Sequence, residues 1–145
     1  MARTDFAFSH RLRVRWAEAD MQGIVFNAHY LMYFDVGITE YWRAVGLHYP
    51  EGVVERHGVD LLVVKSVIEY HASARFDEEL DVCCRIARVG RSSIRFVVEI
   101  HRQDAHLISG EIVNVCVDAA TRAPVSVPQA LRERFDAFET TPVLA

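Results

Sequence analysis

The residues whose types and spacing could do chemistry lie together in one short segment, AEADMQGIVFNAHYLMYFD, Ala17 to Asp35. Asp20 precedes a glycine turn at Gly23, and an apolar helical pattern begins a few residues later. The first N–H groups of a helix have no acceptor within it, so they favour negative charge and can polarise a carbonyl oxygen. A carboxylate delivered to that helix start by the preceding loop, with amides to hold an oxyanion, is a sufficient set for acyl transfer. Glu18 is the competing acid and reads as a structural or secondary one. His29 reads first as a hydrogen-bonded residue of the opening helical turn, with direct catalysis as the lesser alternative.

Other routes to catalysis are missing. The chain contains no G-x-S-x-G, P-loop, G-x-G-x-x-G, H-E-x-x-H or C-x-x-C. Seven histidines (His10, His29, His48, His57, His71, His101, His106) are scattered without metal-ligand spacing, so neither a metal nor a cofactor is expected.

The elements that must position Asp20 follow from periodicity. Phe6 to Arg15 alternates as a strand. From Asn27 to about Val45, Tyr30, Phe34, Ile38, Tyr41 and Val45 recur at three- and four-residue steps, which predicts a helix. Leu31, Met32, Val36 and Trp42 make it apolar over most of its circumference, so it should be wrapped by other elements. Asn27 stands where an N-cap is expected, and Gly46 where a helix stops.

Beyond Pro50 and Gly52 the pattern is β-rich. Val59 to Ala74 predicts a long, bent strand. Leu80 to Ala87 and Ile94 to His101 alternate on either side of a turn at Gly90. Leu107 to Asp118 is apolar on both faces, and Pro128 opens a short C-terminal helix. Short connections favour an antiparallel meander, giving an α+β class in which one curved sheet surrounds one buried helix.

At 145 residues the chain suits one domain, 1–145. A net charge of −4 argues against a general nucleic-acid binder. The N-terminus MARTDFAFSH lacks a signal-peptide core, and no stretch reaches the roughly 20 apolar residues of a membrane span. Adjacent Cys83 and Cys84, with Cys116, suit reduced, packed thiols, and the whole points to a cytoplasmic protein without membrane or nucleic-acid partners.

The segment VRWAEADMQGIVFNAHYLMYFDVGITEYWRAVG resembles the signature of the 4-hydroxybenzoyl-CoA thioesterase family of hotdog proteins, with Asp20, Gly23, Val25, Phe26, Tyr30 and Phe34 at the matching positions. RVGRSSIRFVVEI, Arg88 to Ile100, resembles the family's strand-turn-strand near the CoA, and VPQALRERF its Pro-led helix. The resemblance implies a five-stranded antiparallel sheet wrapped around one long helix. It also implies hydrolysis of a small aromatic or short- to medium-chain acyl-CoA, with Asp20 as nucleophile or general base. Backbone amides around Asn27 and Ala28 would hold the thioester oxygen. Gly23, Ile24, Val25, Phe26 and Tyr30 would contact substrate, and Arg88, Arg91 and Ser92 the CoA phosphates. Protomers would pair as a homodimer or homotetramer with sites at subunit interfaces. One departure stands out: many relatives carry His where this chain has Asn27, and the histidine appears two positions later, at His29. Dehydratase or hydratase chemistry on the same fold, or a non-catalytic acyl-CoA binding module, are the alternatives.

Overall fold

The computed structural model describes residues 3–145. Five strands, β1 (Ser9–Arg13), β2 (Val59–Tyr70), β3 (Glu79–Val89), β4 (Ser93–Arg102) and β5 (Ala105–Asp118), form one antiparallel sheet in the order β1-β3-β4-β5-β2. Its inner face wraps α1 (His29–Ala44), and α2 (Gln129–Phe138) closes the end of the core. This is the hotdog architecture.

The alternation predicted for β3 and β4 sets which residues meet α1. Leu80, Val82, Cys84 and Ile86 of β3 and Ile94, Phe96, Val98 and Ile100 of β4 are all fully buried. From α1 come Tyr30, Tyr33, Phe34, Ile38, Tyr41 and Trp42. Each such side chain contributes about 1.5–3 kcal/mol when fully buried. Two glycines let helix and sheet approach. A Cβ on Gly37 would lie 2.5 Å from Val82 Cγ1, and one on Gly110 of β5 would collide with the Phe34 ring. The α2 side chains complete the layer, with the Phe135 ring 5.6 Å from Trp42 and the Phe138 ring 5.4 Å from Tyr41.

Burial also settles the cysteines. Cys83, Cys84 and Cys116 are free thiols with no exposed surface. Burial, reinforced by neighbouring Asp81, pushes Cys83 up to about 12, so it stays a protonated, packed group.

Several boundaries differ from the sequence expectation. A simple meander holds for β3-β4-β5, but β2 pairs with β5 and not with its successor β3. Both sides of β3 are taken, by β1 and β4, so residues 71–78 must cross the sheet end. The strand expected to run to Ala74 stops at Tyr70, and its bend is a register slip between Val63 and Lys65. The first strand is confined to Ser9–Arg13, and a π-helical turn at Glu51–Glu55 precedes β2. Gly46 ends α1 as expected, at φ +82°.

Candidate functional site

Between β1 and α1 the chain makes a compact loop anchored by Glu18. A short turn at Trp16–Glu18 buries this carboxylate to 4 % exposure. Its Oε1 accepts from the Arg15 N–H at 2.8 Å and the Tyr33 hydroxyl at 2.9 Å, and Oε2 accepts from Arg15 Nε at 2.8 Å. Burial alone would raise its pKa, but these hydrogen bonds outweigh it and hold the carboxyl below its ordinary value. Glu18 is thus the structural acid: it fixes the loop to the second turn of α1.

Asp20 sits at the mouth of a tight turn. Its N–H donates to Ile24 O at 2.9 Å, and its own carbonyl accepts from Gly23 N–H at 3.0 Å. Gly23 takes φ +77°, a conformation that costs a non-glycine residue roughly 1–2 kcal/mol. The Asp20 side chain is half-buried, with Oδ1 oriented by the Gln22 N–H at 2.8 Å. Among the described residues no donor is recorded for Oδ2. The return limb is pinned by Val25 N–H to Ala74 O and by Phe26 N–H to Glu18 O, both 2.9 Å.

The helix start is capped by backbone. Ala28 is the N-cap and makes no side-chain cap, while His29 N–H donates to Phe26 O at 2.9 Å and Tyr30 N–H to Asn27 O at 3.4 Å. This corrects the expectation that the Asn27 side chain caps α1. The turn at 26–28 is tight enough for carbonyls to take the role, and Asn27 stays exposed. The N–H groups of Asn27 and Ala28 find no acceptor among the described residues, and they follow directly on the loop that carries Asp20.

The remaining candidates divide into two groups. Gly23, Phe26, Asn27 and Ala28 are exposed, Ile24 and His29 half-buried, and Val25 buried. The His29 ring packs edge-on against Phe26. Tyr30 is buried, its hydroxyl accepting from Ala74 N–H at 3.1 Å, a packing role against the loop after β2. Arg88, Arg91 and Ser92 lie at the β3–β4 hairpin, whereas Asp20 is tethered beside Ala74, at the opposite end of β3. Ten residue steps of strand separate those ends, roughly 30 Å. Within one chain the hairpin group and Asp20 are not brought together.

Sequence reading missed three neighbours of the loop. Trp16, Met21 and Phe76 are large apolar residues with 82 %, 105 % and 53 % exposure. Their signal was present: isolated apolar residues in a segment without periodicity have no core to enter. A groove of about 350 Å³ also opens between α1 and β2, lined by Leu31, Phe34, Ile38 and Trp42 on one side and Leu61 and Ser66 on the other. It begins at Leu31, less than one turn from the helix start.

Residues 14–135 match the model of the thioesterase-like superfamily. The chain belongs to this superfamily. Among its relatives, the acyl-CoA thioesterase YbgC of Haemophilus influenzae is 28 % identical over 131 residues, covering 90 % of this chain and 96 % of the relative. The acyl-CoA thioester hydrolase YbgC of an Escherichia coli O6:H1 strain is 27 % identical over 129 residues, covering 88 % of this chain and 95 % of the relative. A thioesterase from Thermus thermophilus, solved in complex with coenzyme A and Zn, superposes with a TM-score of 0.81 at 27 % identity, covering 95 % of this chain and 98 % of that one. The thioesterase-like match spans β2 through β5 and most of α2, and it includes the whole Asp20 loop and the helix start.

Proposed function

We propose that the protein is an acyl-CoA thioesterase that hydrolyses a small aromatic or short- to medium-chain acyl-CoA, with Asp20 as its catalytic carboxylate. The observations that support this reading are a half-buried, backbone-oriented Asp20 on the loop that leads into α1 and, at the end of that loop, the N–H groups of Asn27 and Ala28, which have no acceptor among the described residues. Membership of the superfamily and the thioester hydrolase activity carried in its relatives' names support it.

The chemistry follows from that placement. The thioester oxygen accepts from the Asn27 and Ala28 amides, which stabilise the negative charge that develops on it. Acting as a general base, Asp20 takes a proton from water while the water oxygen bonds to the carbonyl carbon. The C–S bond then breaks, and the thiolate of CoA leaves and takes up the proton. Acting as a nucleophile, Asp20 instead forms the new C–O bond itself, and water cleaves the resulting anhydride. The groove between α1 and β2 takes the acyl group, since it opens immediately beyond the helix start.

The CoA contacts require a second copy. β2 is an edge strand, and Leu62, Val63, Val64, Val67 and Tyr70 on it are exposed. A twelve-residue edge strand with five exposed large apolar side chains is a surface that folded proteins cover. Pairing two β2 strands antiparallel about a two-fold axis joins the two sheets, giving the dimer from which a tetramer would be built. Leu62 pairs with Val115, which in turn pairs with Ser93, so the β3–β4 hairpin lies at the Val59 end of the sheet and Asp20 at the Tyr70 end. The two-fold brings one copy's Arg88, Arg91 and Ser92 toward the other copy's Asp20, where guanidinium and hydroxyl groups suit phosphate oxygens. No described helix is long and apolar enough to cross a membrane, and the reading places the enzyme in the cytoplasm with its CoA substrates.

Thiol release from benzoyl-, 4-hydroxybenzoyl-, butyryl- and octanoyl-CoA tests the activity and ranks the acyl groups. Turnover of at least one of the four is expected, and release from none would reject the reading. Rapid quenching during turnover followed by mass spectrometry separates the two routes, because only the nucleophilic route leaves the acyl group covalently bound to Asp20.

A further inference from the structure

We propose that Glu99, His101 and His106 form a site for a divalent transition cation of the zinc class, on the face of the sheet turned away from α1. The expectation of scattered histidines is corrected here: cross-strand pairing gathers residues that sequence spacing keeps apart. His101 of β4 and His106 of β5 are register partners across the hairpin, and Glu99 pairs with Ser109 on the same two strands. The ligand atoms of these three side chains all lie within 4.8 Å of one another.

The face is fixed by Gly110. Its missing Cβ points at the Phe34 ring of α1, so the neighbouring Ser109, and Glu99 opposite it, project from the other side. The three side chains therefore lie on the face of the sheet opposite α1.

The donor set and spacing suit a borderline-soft cation. A carboxylate with two imidazoles is a zinc-type set, and bonds of about 2.0–2.1 Å in tetrahedral geometry put ligand atoms roughly 3.3 Å apart. Here Glu99 Oε1 is 3.0 Å from His101 Nε2 and 3.6 Å from His106 Nε2. The carboxylate oxygen is thus already near ligand spacing from both rings, and the half-exposed His106 side chain has room to move in to complete the set. Glu99 and His101 are each 4 % exposed, whereas the His106 side chain retains 34 %, so the pocket is largely dry with one open side. His71 borders that side, its ring 5.0 Å from His106 and its Nε2 2.9 Å from Ser109 Oγ. Being exposed, it can swing to the fourth position, which water would otherwise take.

The His101 and His106 rings stack at 4.7 Å and 14°, so the half-exposed His106 ring turns out of the stack to aim its nitrogen at an ion shared with His101 and Glu99. Binding replaces the His101 Nε2 contact with Glu99, and the His106 Nε2 contacts with Ile108 O and Ser109 Oγ at 3.0 Å each, by metal bonds to unprotonated ring nitrogens. The ion would clamp β4 to β5 beside Arg102, which itself holds Ser73 O at 3.1 Å and Glu78 at 3.0 Å. Its effect is on the stability of this sheet end.

The test titrates the metal-free full chain with Zn²⁺, and with Co²⁺ as an optical probe, following retained metal and melting temperature. A single equivalent of Zn²⁺ per chain, a melting temperature that rises with Zn²⁺, and tetrahedral Co²⁺ absorption are expected; Mg²⁺ should do none of these. Glu99→Gln and His106→Gln should each weaken Zn²⁺ binding by about tenfold or more. His106 is partly exposed, so its variant keeps the fold, and circular dichroism checks this. No saturable Zn²⁺ binding, an octahedral Co²⁺ spectrum, or unchanged affinity in both folded variants would overturn the assignment.

Discussion

Replacing Glu18 by Ala should cost more stability than its size suggests, because the side chain it removes is the shared acceptor of two inward-facing donors. Arg15 N–H and the Tyr33 hydroxyl both end on Glu18 Oε1, and Tyr33 is only 2 % exposed. A buried donor left without a partner costs about 1–3 kcal/mol, so losing both predicts a deficit of about 2–4 kcal/mol once water reaches the outer one. The Arg15 ion pair adds little, since that side chain is 73 % exposed. For a 145-residue chain each kcal/mol moves the melting temperature by roughly 3–4 °C, so the variant should melt about 6–16 °C lower. Tyr33→Phe removes one donor and leaves Glu18 bonded to Arg15, and should cost only about 0.5–1.5 kcal/mol.

The pH dependence has a definite sign. The folded carboxyl lies below its ordinary 4.5, so its stabilisation is fully present above that value and is lost as pH falls through the folded value. Urea unfolding of wild type and Glu18→Ala at neutral pH and in acid reads both effects. A deficit under about 0.5 kcal/mol at pH 7, or one that widens in acid, would refute the anchoring role.

Other consequences are as direct. Gly110→Ala forces a methyl into Phe34 and within 2.9 Å of Val67 O, which should destabilise by about 1–3 kcal/mol in thermal melts, with Phe34→Leu restoring part of the loss. Val63→Lys with Val64→Lys places two charges on the β2 edge and should give a monomer by analytical ultracentrifugation. Arg91→Ala should raise KM for acyl-CoA about three- to tenfold with kcat little changed, the pattern of a lost phosphate contact remote from the reacting carbonyl.

Much of this was legible in the sequence where a period existed to read. The 3.6-residue stripe of Tyr30, Phe34, Ile38 and Tyr41 and the inward-facing set of β3 and β4 appear in the fold almost residue for residue. Asp81, Cys83, Glu99 and His101 on the opposite face are buried too, however, so the alternation does not mark a solvent side. What the period could not supply was partner choice. That β2 joins β5 depends on which strand edges are already filled, and no local pattern records it. The same gap hid the Glu99–His101–His106 cluster, assembled by register, and the Tyr33–Glu18 bond, which links residues 15 apart through the loop. Asp20 was conspicuous because an acid before a glycine turn and a helix start is a local arrangement. Arg91 and Ser92 were equally conspicuous, yet their distance from Asp20 within one chain follows only from the three-dimensional path of β3.

The most direct test of the account is the rate of thiol release by wild type and Asp20→Asn on the best acyl-CoA of the panel. The substitution keeps the size of the side chain and an oxygen for the Gln22 N–H, so the loop should persist in circular dichroism and melting. The account predicts that kcat/KM falls by a factor on the order of a hundred or more in the folded variant. Equal rates in the two proteins would contradict it and remove Asp20 from the chemistry.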